Sequence, residues 1–284
     1  MEINCKKDFI TKDTYRQMTC KIGCLHQKYR GNNLKLSFVD IQNFRKLKNC
    51  RIEFSEHNTV FVGANNSGKT SAMNALIVFL KKKGKVFTVR DFTITNWIYI
   101  NQLASGWIDN LNGGKPDLSQ AIWHHYVPTL DVWLDVRNDE VHYVSHIIPT
   151  LEWSGGKLGV RLVFNPKDTE KLYKSYKLAY ESAKKTGEVR GGTLQLWPKS
   201  MRDFLEKDNL LQEHFAITAY ILDSARSGEF TPQPLPVESE PLDGEPFKGL
   251  FKIDIFNAQR GFSDPNSEDG GNGDCRLSSQ LRGY

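Results

Sequence analysis

Between an apolar run, Thr59-Val60-Phe61-Val62, and an amphipathic stretch starting at Thr70, the chain reads Gly63-Ala64-Asn65-Asn66-Ser67-Gly68-Lys69-Thr70. This order leaves little choice of local structure. Gly63 and Gly68 admit backbone angles closed to residues with a side chain, so the connection is a tight bend from strand to helix. The four residues before the bend are apolar on both faces, which predicts a central buried strand. After it, Ala72, Ala75, Leu76, Phe79 and Leu80 share one side of a helix expected over 70–83. Lys81, Lys82 and Lys83 fall in its last turn, favourable against the helix dipole, and Gly84 follows as a C-terminal cap.

Such a bend turns successive N–H groups inward and adds the positive end of the helix dipole, which makes a cradle for phosphate. The spacing G-x4-G-K-[ST] assigns Gly63, Ala64, Asn65, Asn66, Ser67, Gly68, Lys69, Thr70 and Ser71 to nucleotide binding. Lys69 reaches β- and γ-phosphate oxygens and is the candidate catalytic residue. The Thr70 hydroxyl is placed for Mg2+, so ATP and Mg2+ are the expected ligands. A carboxylate at the end of a second buried strand should complete the metal site. Asp223, after Tyr220-Ile221-Leu222, is the nearest match, with Ser224 where a glutamate is expected; Asp135 and Asp254 match less well. No residue pattern marks a catalytic base.

Elsewhere the apolar spacing is that of strands and two helices. Leu34, Leu36 and Phe38 share one face of a first strand, a polar turn spans Gln42 to Asn49, and a second strand turns Ile52 and Phe54 inward. Residues 92–128 give no clear period. Leu130, Val132, Leu134 and Val136 alternate with Asp131, Trp133 and Asp135; a turn at Arg137 to Glu140 returns through Val141 to Val144, and Leu158, Val160, Leu162 and Phe164 alternate again. An antiparallel meander is expected. Asn165-Pro166 reads as the start of a helix whose face carries Leu172, Tyr173, Tyr176, Ala179, Tyr180 and Ala183. A second helix, capped by Ser200, runs to about Gln212; Phe215 to Leu222 and Gly249 to Ala258 read as strands.

The expected organisation is a basic leader over 1–33, a nucleotide-binding lobe with meander and helical insertion over 34–227, a proline-rich acidic linker over 228–248, and a partial continuation of the same domain over 249–284. Seven Lys/Arg stand against three Asp/Glu in residues 1–33, most of the chain's formal charge of +5. That balance is compatible with a nucleic-acid partner. The longest apolar run, Ala75 to Leu80, is far short of the roughly 20 residues a membrane span needs. With no secretory pattern at the N-terminus, a cytoplasmic chain without a membrane partner is expected. The five cysteines read as reduced thiols, Cys20-x3-Cys24-x-His26 included, and His124-His125 as structural.

The stretch from Leu36 to Leu76 resembles the start of the RecF/SMC-like branch of ABC-type ATPases: a strand into Ile41-Gln42-Asn43-Phe44-Arg45, a strand ending Ile52-Glu53-Phe54, then a G-x-N-N-S-G-K-T loop. Within that branch it is most similar to the OLD (overcoming lysogenization defect) family of ATP-dependent endonucleases and their anti-phage relatives. Asn257-Ala258-Gln259-Arg260-Gly261-Phe262-Ser263-Asp264 is similar to a segment preceding their helical arm. The resemblance implies a P-loop NTPase of ABC-ATPase (RecF/SMC head-like) type, with Arg45 near the phosphates and ATP held between two heads in a homodimer or higher oligomer. It also implies DNA as a partner of the full-length family, which cuts DNA through a separate acidic domain. No signature motif, no Asp-Glu strand end and no such acidic domain is found here, since Leu277-Ser278-Ser279-Gln280 reads as a helix start. An incomplete head that binds ATP, hydrolyses it weakly or not at all and cuts no DNA by itself is therefore expected. A repair ATPase of the RecF/SMC type and a non-hydrolysing, nucleotide-dependent interaction module are the other readings.

Overall fold

The computed structural model describes residues 34–55, 59–81, 86–109, 116–189, 197–229, 231–235 and 239–250. The elements are, in order, strands β1 (Lys35–Phe44) and β2 (Leu47–Glu53), helices α1 (Lys69–Leu80), α2 (Asn96–Asp109) and α3 (Gln120–Trp123), strands β3 (Thr129–Val136) and β4 (Gly156–Pro166), helices α4 (Thr169–Val189), α5 (Met201–Glu206) and α6 (Leu210–His214), and strand β5 (Phe215–Leu222). The strands form one antiparallel sheet in the order β2-β1-β3-β4-β5. The fold is α/β; of the three strands expected in the meander, the first and third form the antiparallel pair β3 and β4, and β5 joins the sheet beyond β4.

The alternation within these strands divides the sheet into two unlike faces. On one, Val39, Ile41, Leu130, Val132, Leu158, Val160 and Leu162 meet α1 and the aromatic cluster of Phe79, Phe87, Phe92 and Phe164. The rings of Phe87 and Phe164 stack 3.9 Å apart. On the other, Phe38, Trp133 and Leu222 form a small apolar patch beside buried charge. There Arg161 donates from Nε and Nη2 to the two carboxylate oxygens of Asp131, both at 2.7 Å, and Gln42 adds a third donor at 3.1 Å. Burial pushes the Asp131 carboxyl above the ordinary carboxylate value against the pull of Arg161. Arg161 Nη1 and Arg51 Nη2 donate to the carbonyls of Gln233 and Glu229, both at 2.6 Å, so Glu229 and residues 231–235 lie across this face as a strap.

Several local expectations yield to tertiary structure. The turn expected over Gln42 to Asn49 shrinks to Arg45-Lys46, because Phe44 pairs with Leu47 and the residues on either side are strand. Leu34 and Leu36 share a face, but Phe38 does not join them. A bulge between Leu36 and Phe38 inserts one residue opposite β3, and a slip of one residue reverses every side chain beyond it. Residues 141–144 lie in a 3-10 stretch, Asn138–Val144, with Glu140 closing back on Arg137. Asn165 and Pro166 end β4 rather than start a helix. The Asn165 side chain is buried, meeting His124 Nε2 at 3.2 Å and accepting from Thr218 Oγ1 at 2.5 Å, so α4 is capped later, by Asp168 accepting from the Lys171 N–H. Ser200 caps α5 as expected, but left-handed Asp208 and Asn209 split the helix expected to reach Gln212 into α5 and α6.

The run before the bend departs furthest. Thr59 to Val62 pairs with no strand among the described residues; Val60 is 68% and Val62 77% exposed, while Phe61 packs partly on the core. Four apolar residues become a buried strand only where neighbours flank them on both sides. The helix α1 also ends sooner than expected, with Lys81 extended beyond Leu80, while Lys82, Lys83 and Gly84 lie outside the described residues. So do the leader, Cys20, Cys24, His26 and everything after Leu250, including Asp254, the strand expected to Ala258 and the Asn257–Asp264 segment.

Candidate functional site

The bend lies beside the β1–β2 turn, at one end of the sheet. The glycines are fixed there by contact as well as by angle. At Gly68 the backbone is left-handed, φ +102°, and a Cβ would stand 2.9 Å from Leu47 Cδ2. At Gly63 a Cβ would meet Ser67 Oγ at 2.9 Å. Both positions therefore require glycine, and the bend they form faces solvent over Ala64 to Ser67. The helix α1 starts at once behind it, with no acidic residue in its first turn to offset the exposed N–H groups.

Lys69 folds back into this bend. Its Nζ donates to the carbonyls of Gly63 at 2.5 Å and Ala64 at 2.7 Å, and to Ser67 Oγ at 3.3 Å. The ammonium thus stands in the mouth of the loop, held among the described residues by atoms of the loop itself. An entering phosphate would exchange those carbonyls for fully charged oxygens, a stronger acceptor set. The Thr70 side chain is exposed on the first turn of α1, and Ser71 is buried beneath it. The arrangement fits a magnesium-bound triphosphate: a solvent-open cradle, a helix N-terminus with no acidic residue in its first turn, one ammonium and one exposed hydroxyl.

Arg45 and Lys46 divide the work of the adjoining turn. Arg45, left-handed at φ 53°, turns its guanidinium to Asp91, with Nε and Nη2 at 2.9 and 2.8 Å from Oδ1. Its own N–H donates to the Asp91 carbonyl at 2.8 Å, and Asp91, fully buried, also accepts from the Thr88 N–H and hydroxyl. Lys46 instead reaches the phosphate loop, donating to Asn66 Oδ1 at 2.6 Å and to the Asn66 carbonyl. No motif in the sequence marks either Lys46 or Asp91. The tight two-residue turn that aims Lys46 at the loop was masked by the polar run around it.

The carboxylates considered for magnesium stand elsewhere. Leu222 pairs with Gly159, Gly159 with Trp133 and Trp133 with Phe38, so Asp223 lies at the sheet end remote from the turn. Phe38 to Phe44 alone is about 20 Å of strand. Asp223 caps the Ser224–Arg226 turn by accepting from Ala225 N–H, and Asp135 pairs with Lys157 at that same far end. Neither reaches Thr70. Among the described residues no group of three or more His, Cys, Asp or Glu side chains could hold a metal ion, and no helix is long and apolar enough to cross a membrane. His124 is partnered by Asn165 and has its pKa lowered by burial, then by the charge of Arg161.

The family profile described as an AAA ATPase domain matches residues 34–185, more than half the chain. The chain belongs to the AAA ATPase domain family. Its matched region opens one residue before β1 and contains the whole phosphate loop. Among curated proteins, the chain is 24% identical over 123 residues to Endonuclease GajA of Bacillus cereus, covering 43% of this chain and 17% of that protein. It is 28% identical over 135 residues to DNA replication and repair protein RecF of Geotalea daltonii, covering 48% of this chain and 33% of that one. The alignments thus span a third or less of the relatives' length. No solved structure matches the chain. These matches agree with the resemblance to ABC-type ATPases of the RecF and OLD kind drawn from the β1-to-loop motifs.

Proposed function

We propose that this AAA ATPase domain binds and hydrolyses Mg·ATP at Gly63 to Ser71 as the nucleotide-driven head of a DNA-processing protein of the OLD-like endonuclease type. The observation that carries the reading is the solvent-open bend whose two glycines tolerate no Cβ, set on a helix N-terminus with no acidic residue in its first turn and with Lys69 in its mouth. The N–H groups of the bend hold the phosphate chain, Lys69 neutralises charge at its outer end, and Thr70 holds the metal. The Thr70 hydroxyl would hold Mg2+, which when bound would supply positive charge against the negative phosphate chain. Arg45, which the family resemblance puts near the phosphates, belongs to the same reading, although its guanidinium is engaged by Asp91.

DNA as partner rests on the names of the two relatives, Endonuclease GajA and the replication and repair protein RecF. Pairing of two heads, anti-phage defence, a cytoplasmic setting and the division at residues 33, 227 and 248 belong to the same reading. A second reading, a RecF-type repair ATPase without nuclease, is favoured by the higher identity and larger share of RecF that the chain matches. Calorimetric titration with Mg·ATP tests the core of the proposal. Wild type should bind, and Lys69→Ala should weaken binding by at least a hundredfold; equal affinity would remove the loop from function. Single-turnover hydrolysis with and without DNA then follows. Binding without any turnover would replace the ATPase reading by a nucleotide-dependent interaction module.

A further inference from the structure

We infer that Lys46 is a positioning residue for the phosphate loop: it fixes the Asn66–Ser67 peptide so that the Ser67 N–H points into the bend. The inference rests on the reading of that bend as the nucleotide site. Lys46 belongs to the β1–β2 turn, twenty residues earlier in the chain, yet its ammonium donates to both the Asn66 carbonyl and Asn66 Oδ1. A planar trans peptide points its C=O and N–H in opposite directions. Drawing the Asn66 carbonyl outward to Lys46 therefore turns the Ser67 N–H inward, where it donates to the Ala64 carbonyl at 3.2 Å. Ala64 O is also an acceptor of Lys69, so this N–H shares the interior of the bend with the loop's own ammonium.

Two further observations support the assignment. Asn66 is left-handed, φ 67°, a conformation that costs free energy unless contacts hold it, and Lys46 grips it from both its main chain and its side chain. The stem of Lys46 also lies against the helix start, with Cε 3.6 Å from where a Cβ on Gly68 would stand, next to Leu47. The neighbouring guanidinium cannot substitute, since Arg45 is taken by Asp91. Lys46, exposed and with no carboxylate partner among the described residues, spends its charge on the loop alone.

The test is titration calorimetry with Mg·ATP and with Mg·ADP on Lys46→Ala, Lys46→Arg, Asn66→Gly and the Lys46→Ala/Asn66→Gly pair, with Lys69→Ala as reference. A group acting through the loop affects both nucleotides. Lys46→Ala should weaken each by about tenfold, Lys46→Arg should restore affinity to within about threefold, and the double variant should bind little worse than the weaker single one. Wild-type affinity in Lys46→Ala, losses that multiply in the double variant, or a loss confined to ATP would overturn the inference, the last by assigning Lys46 to the terminal phosphate itself. Should Lys46→Ala fail to fold, Lys46→Met keeps the stem on Gly68 and carries the same expectations. If Lys69→Ala binds normally, the nucleotide site is refuted; if it loses binding while Lys46→Ala does not, only the role of Lys46 falls.

Discussion

The strap-covered face of the sheet and the phosphate bend both gather cations, and they treat them in opposite ways. Arg161 is buried and bidentate on Asp131, with Gln42 and the Gln233 carbonyl completing the set. Lys69 and Lys46 are held by carbonyl and amide oxygens and a hydroxyl, at a surface open to water. In the first region charge is cancelled in place and holds the fold together. In the second it is parked on dipoles, which a polyanion can displace.

If that contrast is right, Arg161→Ala should be the most damaging change to stability. It strands the Asp131 carboxyl in a dry face and frees the strap, at a cost of roughly 3–5 kcal/mol in denaturant unfolding. A loss below 1 kcal/mol would mean that water reaches Asp131 and the face is not sealed. Gly159→Ala comes next. Its Cβ would stand 2.6 Å from the buried ring of Trp133, which stacks on Phe38 and has nowhere to move, so about 1–3 kcal/mol is expected. Unchanged stability would show that the small apolar patch on this face is loosely packed.

A weaker effect concerns pH. His124 and His214 both have lowered pKa values, through burial first in each case. A histidine kept neutral in the fold takes up a proton more readily once unfolded. Stability is therefore fully present above the unfolded value near 6.5 and is lost as pH falls below it toward the folded value. The thermal midpoint should fall between pH 7.5 and 5.5, and His124→Gln should flatten the slope; a midpoint rising on acidification would reverse the assignment. Smallest of all is the expected stability change in Lys69→Ala, within about 0.5 kcal/mol, although the same variant loses nucleotide. A large destabilisation there would make the phosphate bend part of the scaffold and erase the distinction between the two regions.

The strands that could be read in advance were those whose pattern is self-contained. Leu130 to Val136 and Phe215 to Leu222 lie where their alternation and apolar content placed them. Failures came where a neighbour overrides the pattern. The Asn165-Pro166 pair has the form of a helix start, yet Thr218 and His124 take the Asn165 side chain and keep it in β4. Val141 to Val144 has the composition of a strand, but Glu140 folds back on Arg137 and tightens the chain into a 3-10 stretch.

The order of residues alone determined the bend at Gly63 to Thr70, the helix behind it and the charge carried by Lys69, because glycine angles and an i+4 apolar stripe are local properties. Tertiary structure alone decided that Arg45 serves Asp91 while Lys46 serves the loop, that a bulge turns Phe38 away from Leu36, and that Asp223 stands at the wrong end of the sheet. Each of these depends on strand register and on residues distant in the chain, and a shift of one position in register changes which side chains can meet.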